Sequence, residues 1–364
     1  MNVPYADLYA EYLECQRDID SAIGHCIKNS FFINGPMVES FEEAWAEQTK
    51  SECCAGVSSG TSALMLALST LDIGPGDEVI VPSMSFISTA EVVNQLGARP
   101  VFVDIDQYHT IDIDACQQAI TVKTKAIIFV DLYGQTIDIK RLHAIADGVP
   151  LIRDAAQSAG CQYLPGDPDK LVHATCWSFY PGKNLSTMGD AGAVTGSKVL
   201  CDRIRILRDH GRVEKYVHVA MGWNERLDAM QAAILSSKMF RLQTWNFLRR
   251  RNAQIYRDYL PASVDLPQEN PVSTHVYNQF VIGVDRRDEL RAWLKERGIE
   301  AGIQFPMAMH QQPVYAAGNH KLPVSERLAE RCLSLPVHGQ LTVPQIRYVS
   351  DAIAEFLSLP YKPE

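Results

Sequence analysis

The chain has 364 residues, enough for about two domains, and its 46% hydrophobic and 21% charged residues are typical of a globular protein. Its formal net charge of −9, without a block of basic residues, argues against a nucleic acid or an anionic membrane as the main partner. The nine cysteines lack metal-like spacing and no apolar run reaches the roughly 18 residues of a membrane span, which predicts a cytoplasmic protein without a metal site.

The first predicted elements are helices, which cover the first forty-odd residues and are interrupted by a turn at Asn34-Gly35-Pro36. Short apolar runs then alternate with helical stretches, as is typical of a mainly parallel sheet with helices on both faces. The sequence therefore predicts an α/β fold with seven strands, in the segments ECCAGVSS, EVIVPS, PVFVDID, KAIIFVDLYG, LIRDAA, ATCWSFY and AGAVTGS.

After about residue 200 the pattern changes to long helical segments, and the one over residues 227–260 is expected to break at least once. A strand in HVYNQFVIGV and a helix in DELRAWLKERGI are predicted to follow. We predict a large domain over residues 1–240 and a smaller C-terminal α+β domain over residues 241–364, with the boundary inside a long helix.

A first candidate site lies where the segment SSGTSA (58–63) leads from a strand into a helix. Helix N-termini bind phosphate through free N–H groups, Gly60 would let the backbone come close, and Thr61 could add its hydroxyl. Simple capping of the helix by Ser or Thr is the alternative. The segment is neither a G-x-G-x-x-G fingerprint nor a Walker loop, which argues against a dinucleotide-binding reductase.

A second candidate is Asp154, at the end of a buried predicted strand, with Gln157 one turn later. The carboxyl edge of a sheet is where α/β folds place their ligands. There, Asp154 could hold a pyridine nitrogen protonated and Gln157 could donate to an oxygen on the same ring. The alternatives are an aspartate that caps the following turn and an exposed glutamine.

A third candidate is Lys183, which lies in the apolar, glycine-containing setting WSFYPGKNL. A lysine that forms a Schiff base must lose its proton, which burial favours. Most single lysines are solvated surface charges, and that is the alternative here. Asp154 lies 29 positions earlier (183 − 154 = 29), so both side chains could reach one cofactor from neighbouring strands.

Beyond these single motifs, the chain resembles the DegT-type nucleotide-sugar aminotransferases over nearly its whole length. This family is a branch of the fold-type-I enzymes that use pyridoxal 5'-phosphate (PLP), in the aspartate aminotransferase superfamily. The resemblance implies a seven-stranded, mainly parallel sheet between helices and a smaller C-terminal domain. It is carried by several segments in the family's order, among them FFINGPMVESFEEAWA, VSSGTSAL, GPGDEVIVPSMSF, DAAQSAG, SFYPGKNL and GWNERLDAMQAAIL.

The resemblance also implies roles for single residues. Lys183 falls where the family binds the cofactor covalently, Asp154 where it pairs with the pyridine nitrogen, and Gln157 where it contacts the ring oxygen. The phosphate of the cofactor would lie in a cradle formed by Gly60, Thr61 and Ser178. The ring of Phe86 would stack on the cofactor ring, and Asn224 would reach the phosphate bound by a neighbouring subunit. The last contact implies a homodimer with shared active sites; a helix cap is the alternative for Asn224.

The substrate prediction rests on the stretch GKNLSTMGDAGAV, which is more similar to family members that aminate C3 of a sugar. The resemblance implies transfer from L-glutamate to a nucleotide-linked keto sugar, a dTDP-3-keto-6-deoxyhexose above all, for deoxyamino-sugar biosynthesis. Tyr180 would lie near the substrate as a hydrogen-bond donor or proton relay, and His310 would lie near the sugar. A histidine with satisfied partners in a loop is the alternative for His310.

Other functions remain open beside this one. A family member that acts at C4, one that acts on a free cyclitol and a PLP-binding regulator without turnover are all compatible with most of the motifs. A sugar dehydratase of this family would carry histidine in place of Lys183. Ser62 and Met188 depart from the family pattern near the predicted cofactor loops, so these departures concern the substrate and not the chemistry.

Overall fold

The computed structural model describes residues 1–164, 166, 169–318 and 320–359. The chain begins with two helices, α1 (Leu8–Asn29) and α2 (Pro36–Thr49), which confirms the predicted pair of helices separated by a turn. The Asp7 carboxylate caps α1 by accepting from the N–H of Ala10, and proline at the first position suits the start of α2.

A seven-stranded sheet forms the centre of the fold, in the order β1-β7-β6-β5-β4-β2-β3. Only β7 runs antiparallel to its neighbours, so the predicted mainly parallel sheet is confirmed. Each of the seven predicted apolar runs supplies one strand: β1 (Cys53–Val57), β2 (Glu78–Pro82), β3 (Arg99–Val103), β4 (Thr124–Val130), β5 (Leu151–Asp154), β6 (Ala174–Ser178) and β7 (Gly192–Gly196).

Helices cover the sheet and bury its apolar faces. The helix after β1 is apolar on nearly all sides and buried over residues 62–68, as expected for a helix between the sheet and further helices. The break that was predicted in the helical segment over residues 227–260 is confirmed at residues 240–241. The helices of this part are α3 (Gly60–Ser69), α4 (Ser88–Gln95), α5 (Ile113–Ala119), α6 (Ile139–Ala146), α7 (Lys198–Leu207), α8 (Ala229–Met239) and α9 (Leu242–Tyr259).

The hairpin between α7 and α8 was not predicted. Its strands, β8 (Arg212–Glu214) and β9 (Val217–His218), are very short and largely exposed. They therefore lack the alternation of buried and exposed residues that marks a longer strand.

A second apolar core forms around an antiparallel pair, β10 (Phe280–Gly283) and β11 (Cys332–Leu335). Helices α10 (Arg287–Glu296), α11 (Pro323–Arg331) and α12 (Val343–Ser358) complete this part. Helix α9 joins this core to the apolar residues around the central sheet. Its Leu242 packs beside the central sheet, and its Tyr256 packs in the core around β10 and β11. The domain boundary at residues 240–241 stays a prediction. Among the described residues, every helix is too short or too polar to cross a bilayer.

Candidate active site

Asp154 is the last residue of β5 and lies at the carboxyl edge of the sheet with only 6% of its surface exposed. Oδ1 accepts from the N–H of Ala156 at 3.1 Å, and Oδ2 accepts from the Thr89 hydroxyl at 3.2 Å. Burial raises the pKa of the carboxyl to about 6, although the nearby Lys183 amine opposes this rise. One oxygen thus caps the turn, as the alternative supposed, but the buried charge still has no hydrogen-bonded cation among the described residues.

Lys183 lies in the loop between β6 and β7, where its N–H donates to the carbonyl of Tyr180 at 3.0 Å. Burial of the amine lowers its pKa to about 8, and the Asp154 carboxylate opposes this fall. Among the residues that the structure describes, none accepts a hydrogen bond from this amine. The structure therefore brings together a buried carboxylate and an amine that is partly neutral near pH 8, as the sequence predicted for one pocket.

Gln157 is buried and not the exposed turn residue of the alternative interpretation. Its Oε1 accepts from the N–H of Tyr133 at 2.7 Å, and Tyr133 has a positive φ of 63° in the loop after β4. This contact orients the amide so that its NH2 group remains available to a ligand, since that group donates to no other described residue. The geometry suits the predicted contact to a ring oxygen.

The start of α3 and the end of β6 meet closely. A Cβ at Gly60 would lie 2.7 Å from Ser178 Cβ, so only glycine permits this approach without a shift. The Ser59 side chain caps the helix by accepting from the N–H of Ser62, as the capping alternative supposed. The first N–H groups of a helix have no partner within it, so those of Gly60 and Thr61 remain for an anion. The three residues that were predicted to contact a phosphate therefore lie close together at the start of α3, and their role stays a prediction.

Glu225 reaches the same helix from a distant segment and was not predicted. Its Oε2 accepts from the hydroxyls of Ser58 and Ser62, the latter at 2.5 Å. The neighbouring Asn224 is exposed. The proposed helix cap for Asn224 is wrong, because α8 begins at Ala229 directly after Asp228. Its contact with a second subunit stays a prediction.

Two predicted aromatic residues are exposed and lie in loops next to the proposed reacting groups: Phe86 precedes α4, whose Thr89 contacts Asp154, and the carbonyl of Tyr180 accepts from the N–H of Lys183. Phe86 is 56% exposed and packs at 6.1 Å, between ring centroids, against Phe305, which the sequence did not single out. Tyr180 is 57% exposed. Both side chains thus leave a face accessible to a ligand.

His310 contacts a different set of residues. It is buried, its Nε2 lies 3.1 Å from Glu326 Oε1, and its ring packs against Phe102 at the carboxyl end of β3. Its Nδ1 has no hydrogen-bond partner among the described residues. None of its contacts belongs to the predicted site, so its role near the sugar stays a prediction.

Comparison with known proteins supplies the family. Residues 14–354 match the model of the DegT/DnrJ/EryC1/StrS aminotransferase family. Three relatives are similar over almost their whole length: a pleiotropic regulatory protein of Geobacillus stearothermophilus (41% identity, covering 98% of this chain and 99% of the relative), a UDP-N-acetyl-3-dehydro-alpha-D-glucosamine 3-aminotransferase of Acidithiobacillus ferrooxidans (40%, 98% and 98%), and a dTDP-3-amino-3,4,6-trideoxy-alpha-D-glucose transaminase of Streptomyces venezuelae (39%, 97% and 96%).

A solved structure shows the same fold. The aminotransferase DesV of S. venezuelae, crystallised with a ketimine intermediate, superposes with a TM-score of 0.93 at 38% identity, over 99% of this chain and 100% of DesV. The match to the family model covers well over half of the chain, and the relatives exceed 30% identity. This chain is therefore a member of the DegT/DnrJ/EryC1/StrS aminotransferase family.

Proposed function

We propose that this chain transfers an amino group from L-glutamate to C3 of a nucleotide-linked keto sugar, a dTDP-3-keto-6-deoxyhexose above all, with PLP as its cofactor. The observation that carries the proposal is the pair formed by Asp154 and Lys183. Burial moves the pKa of both groups, to about 6 and about 8, at the edge of the sheet where α3 begins. Perturbed titrating groups in one pocket are typical of catalytic sites.

The residues present fit PLP. When bound, PLP would supply an electron-accepting ring that stabilises negative charge on the neighbouring substrate carbon. Asp154 would hold the ring nitrogen protonated, because a buried carboxylate gains a cationic partner there. The Gln157 NH2 group would donate to the ring oxygen, Phe86 would cover one ring face, and the phosphate would lie in the cradle of Gly60, Thr61 and Ser178.

Lys183 would move the proton. Because its amine has a pKa near 8, a sizeable fraction is neutral at physiological pH and can accept a proton from the substrate carbon. The same amine can return that proton to the adjacent carbon of the cofactor. The exposed Tyr180 hydroxyl, three residues earlier, would serve as a hydrogen-bond donor or relay at the substrate.

The choice of C3 rests on the GDAG stretch after Lys183 and on two relatives whose names place the amino group at position 3. These two relatives carry dTDP and UDP in their names, so the nucleotide has the weaker support. A regulatory protein is the second candidate, because another relative bears that name. Turnover is favoured over regulation by the retention of both Lys183 and Asp154. The cytoplasmic location and the homodimer belong to the same proposal.

A substrate panel tests the function. PLP-loaded protein is incubated with L-glutamate and, in separate reactions, with a dTDP-linked 3-keto sugar, a UDP-linked 3-keto sugar and a dTDP-linked 4-keto sugar. We expect L-glutamate to bleach the visible absorbance of bound PLP, and the 3-keto sugars to be aminated fastest, as measured by mass spectrometry. Amination of the 4-keto sugar alone would move the chain to the C4 group. Bleaching without amination would indicate another ketone, such as the keto form of a cyclitol, and no bleaching would favour regulation.

The phosphate cradle gives a separate prediction. Gly60→Ala places a Cβ 2.7 Å from Ser178 Cβ, so the cradle must widen and the affinity for PLP should fall by roughly tenfold, which corresponds to about 1.4 kcal/mol. Gly24→Ala is the matched control, because Gly24 lies in α1 and a Cβ there meets nothing within 4 Å. Dissociation constants from equilibrium titration with PLP decide the matter. Equal constants for both variants would mean that the phosphate binds elsewhere.

A further inference from the structure

Three buried asparagine side chains form a continuous hydrogen-bonded chain beside the proposed active site. They are Asn184, directly after Lys183, Asn246 in α9, and Asn278 in the segment before β10, with 2%, 0% and 8% of their surfaces exposed. Buried side-chain amides that are hydrogen-bonded to one another favour one geometry, since leaving a member unpaired in the interior is unfavourable.

Asn184 is held from three sides. Its Nδ2 donates to Asn246 Oδ1 at 2.6 Å and to the carbonyl of Val276 at 2.9 Å. Its Oδ1 accepts from Asn278 Nδ2 at 2.9 Å. The donors of the amide group are thus both used, which fixes the backbone directly after Lys183.

Asn246 makes the connection to the other half of the site. Its Nδ2 donates to the carbonyl of Ala159 at 2.9 Å, two residues after Gln157 and five after Asp154. Gly160 has a positive φ of 83°, and a Cβ there would lie 2.4 Å from Asn246 Nδ2, so the chain leaves room for this amide. One side chain therefore binds both loops that carry the proposed reacting groups.

We propose that Asn246 is a positioning residue, which sets the separation of the Lys183 amine and the Asp154 carboxylate by holding their two loops through one amide. The inference rests on the proposed function, because that function assigns the reaction to Lys183 and Asp154. Asn246 itself touches neither group. Since each loop loses a buried partner when this amide is removed, the loops can move apart, and displacements of about 1 Å cost roughly 10²-fold in rate.

The same helix offers a matched control. Asn252 is also fully buried in α9, and its Nδ2 donates to the carbonyl of His338 at 2.8 Å, which belongs to neither loop. Asn246→Ala and Asn252→Ala each remove one buried amide from one helix. We expect similar losses in the midpoint of thermal unfolding for both variants.

The variants should differ in the site. Asn246→Ala is expected to lower the maximal single-turnover rate with L-glutamate by roughly 10–100-fold, with a small change in the L-glutamate concentration that gives half of that rate, whereas Asn252→Ala keeps the wild-type rate. The second readout is the pKa of the Lys183 amine, measured in the full chain without PLP from the pH dependence of its chemical labelling. It should fall further in Asn246→Ala, because a more distant Asp154 carboxylate raises it less, and stay unchanged in Asn252→Ala.

Equal effects of both variants on this single-turnover rate, or an unchanged Lys183 pKa in Asn246→Ala, would overturn the proposal and leave Asn246 a purely structural residue. If Asn246→Ala does not fold, Asn246→Ser keeps a polar group but is too short to reach both loops, and the same shifts are expected from it. Failure of the proposed function looks different, because then the wild-type protein itself performs no half-reaction with L-glutamate.

Discussion

Replacement of Lys183 by alanine is expected to reduce amino transfer by at least roughly 10³-fold, the largest single effect in the chain. General acid–base catalysis by a positioned side chain contributes about 10²–10⁴-fold, and Lys183 would also hold the cofactor covalently. The measurement is the single-turnover rate of the reaction with L-glutamate. A second measurement, made on the wild-type protein, is borohydride reduction followed by mass spectrometry. It should find the mass of the reduced cofactor on the peptide that contains Lys183.

Lys198→Ala is the matched control for this experiment. Lys198 lies at the exposed start of α7, where its ammonium pairs with Asp202 at 2.7 Å, and such surface pairs contribute little to stability. We expect wild-type rates from it. If Lys183→Ala reacted as fast as the control, or if reduction fixed PLP on another lysine, the central assignment would be wrong.

The strands of the central sheet were predictable because each one needs a recognisable run of apolar residues. Seven apolar runs became the seven strands, since a buried parallel strand needs an unbroken apolar stretch. The hairpin of β8 and β9 was not predictable, because two to three exposed residues per strand leave no pattern to recognise.

The site divides in the same way. Asp154 and Lys183 were predictable, because they follow apolar strands and so lie at the carboxyl edge of the sheet. The residues that orient them were not. Thr89 reaches Asp154 from α4, and Tyr133 holds Gln157 through a backbone N–H, a group that every residue except proline carries. Such contacts depend on how elements pack, which spacing along one chain does not reveal.

Asp154→Asn is the second substitution with a large expected effect, and it should act on rate and stability in opposite directions. The amide cannot hold a ring nitrogen protonated, so amino transfer should fall by roughly 10²–10³-fold, as when other preorganised electrostatic partners are removed. The stability of the ligand-free protein should rise, because a charge that is buried without a hydrogen-bonded cation disappears.

The sign and size of the stability effect follow from the pKa. In the folded chain the pKa of Asp154 is raised from 3.8 to about 6, so its stabilising contribution is complete below pH 3.8 and is lost as the pH rises to about 6. A rise of about two units corresponds to about 3 kcal/mol at neutral pH. The variant lacks this loss, so without PLP its free energy of unfolding should exceed that of the wild type by up to about 3 kcal/mol at pH 7 and by much less at pH 4.

Denaturant unfolding of both ligand-free proteins at pH 4 and pH 7 measures this difference. With PLP bound the order should reverse, because the carboxylate then gains its cationic partner and the wild type binds the cofactor more tightly. A wild type that is more stable than Asp154→Asn at pH 7 without PLP would contradict the unfavourable burial of this charge without a hydrogen-bonded cation. An unchanged order with PLP would contradict the pairing of Asp154 with the ring. The two halves of the experiment therefore separate the electrostatics of the empty pocket from those of the cofactor, which activity alone does not.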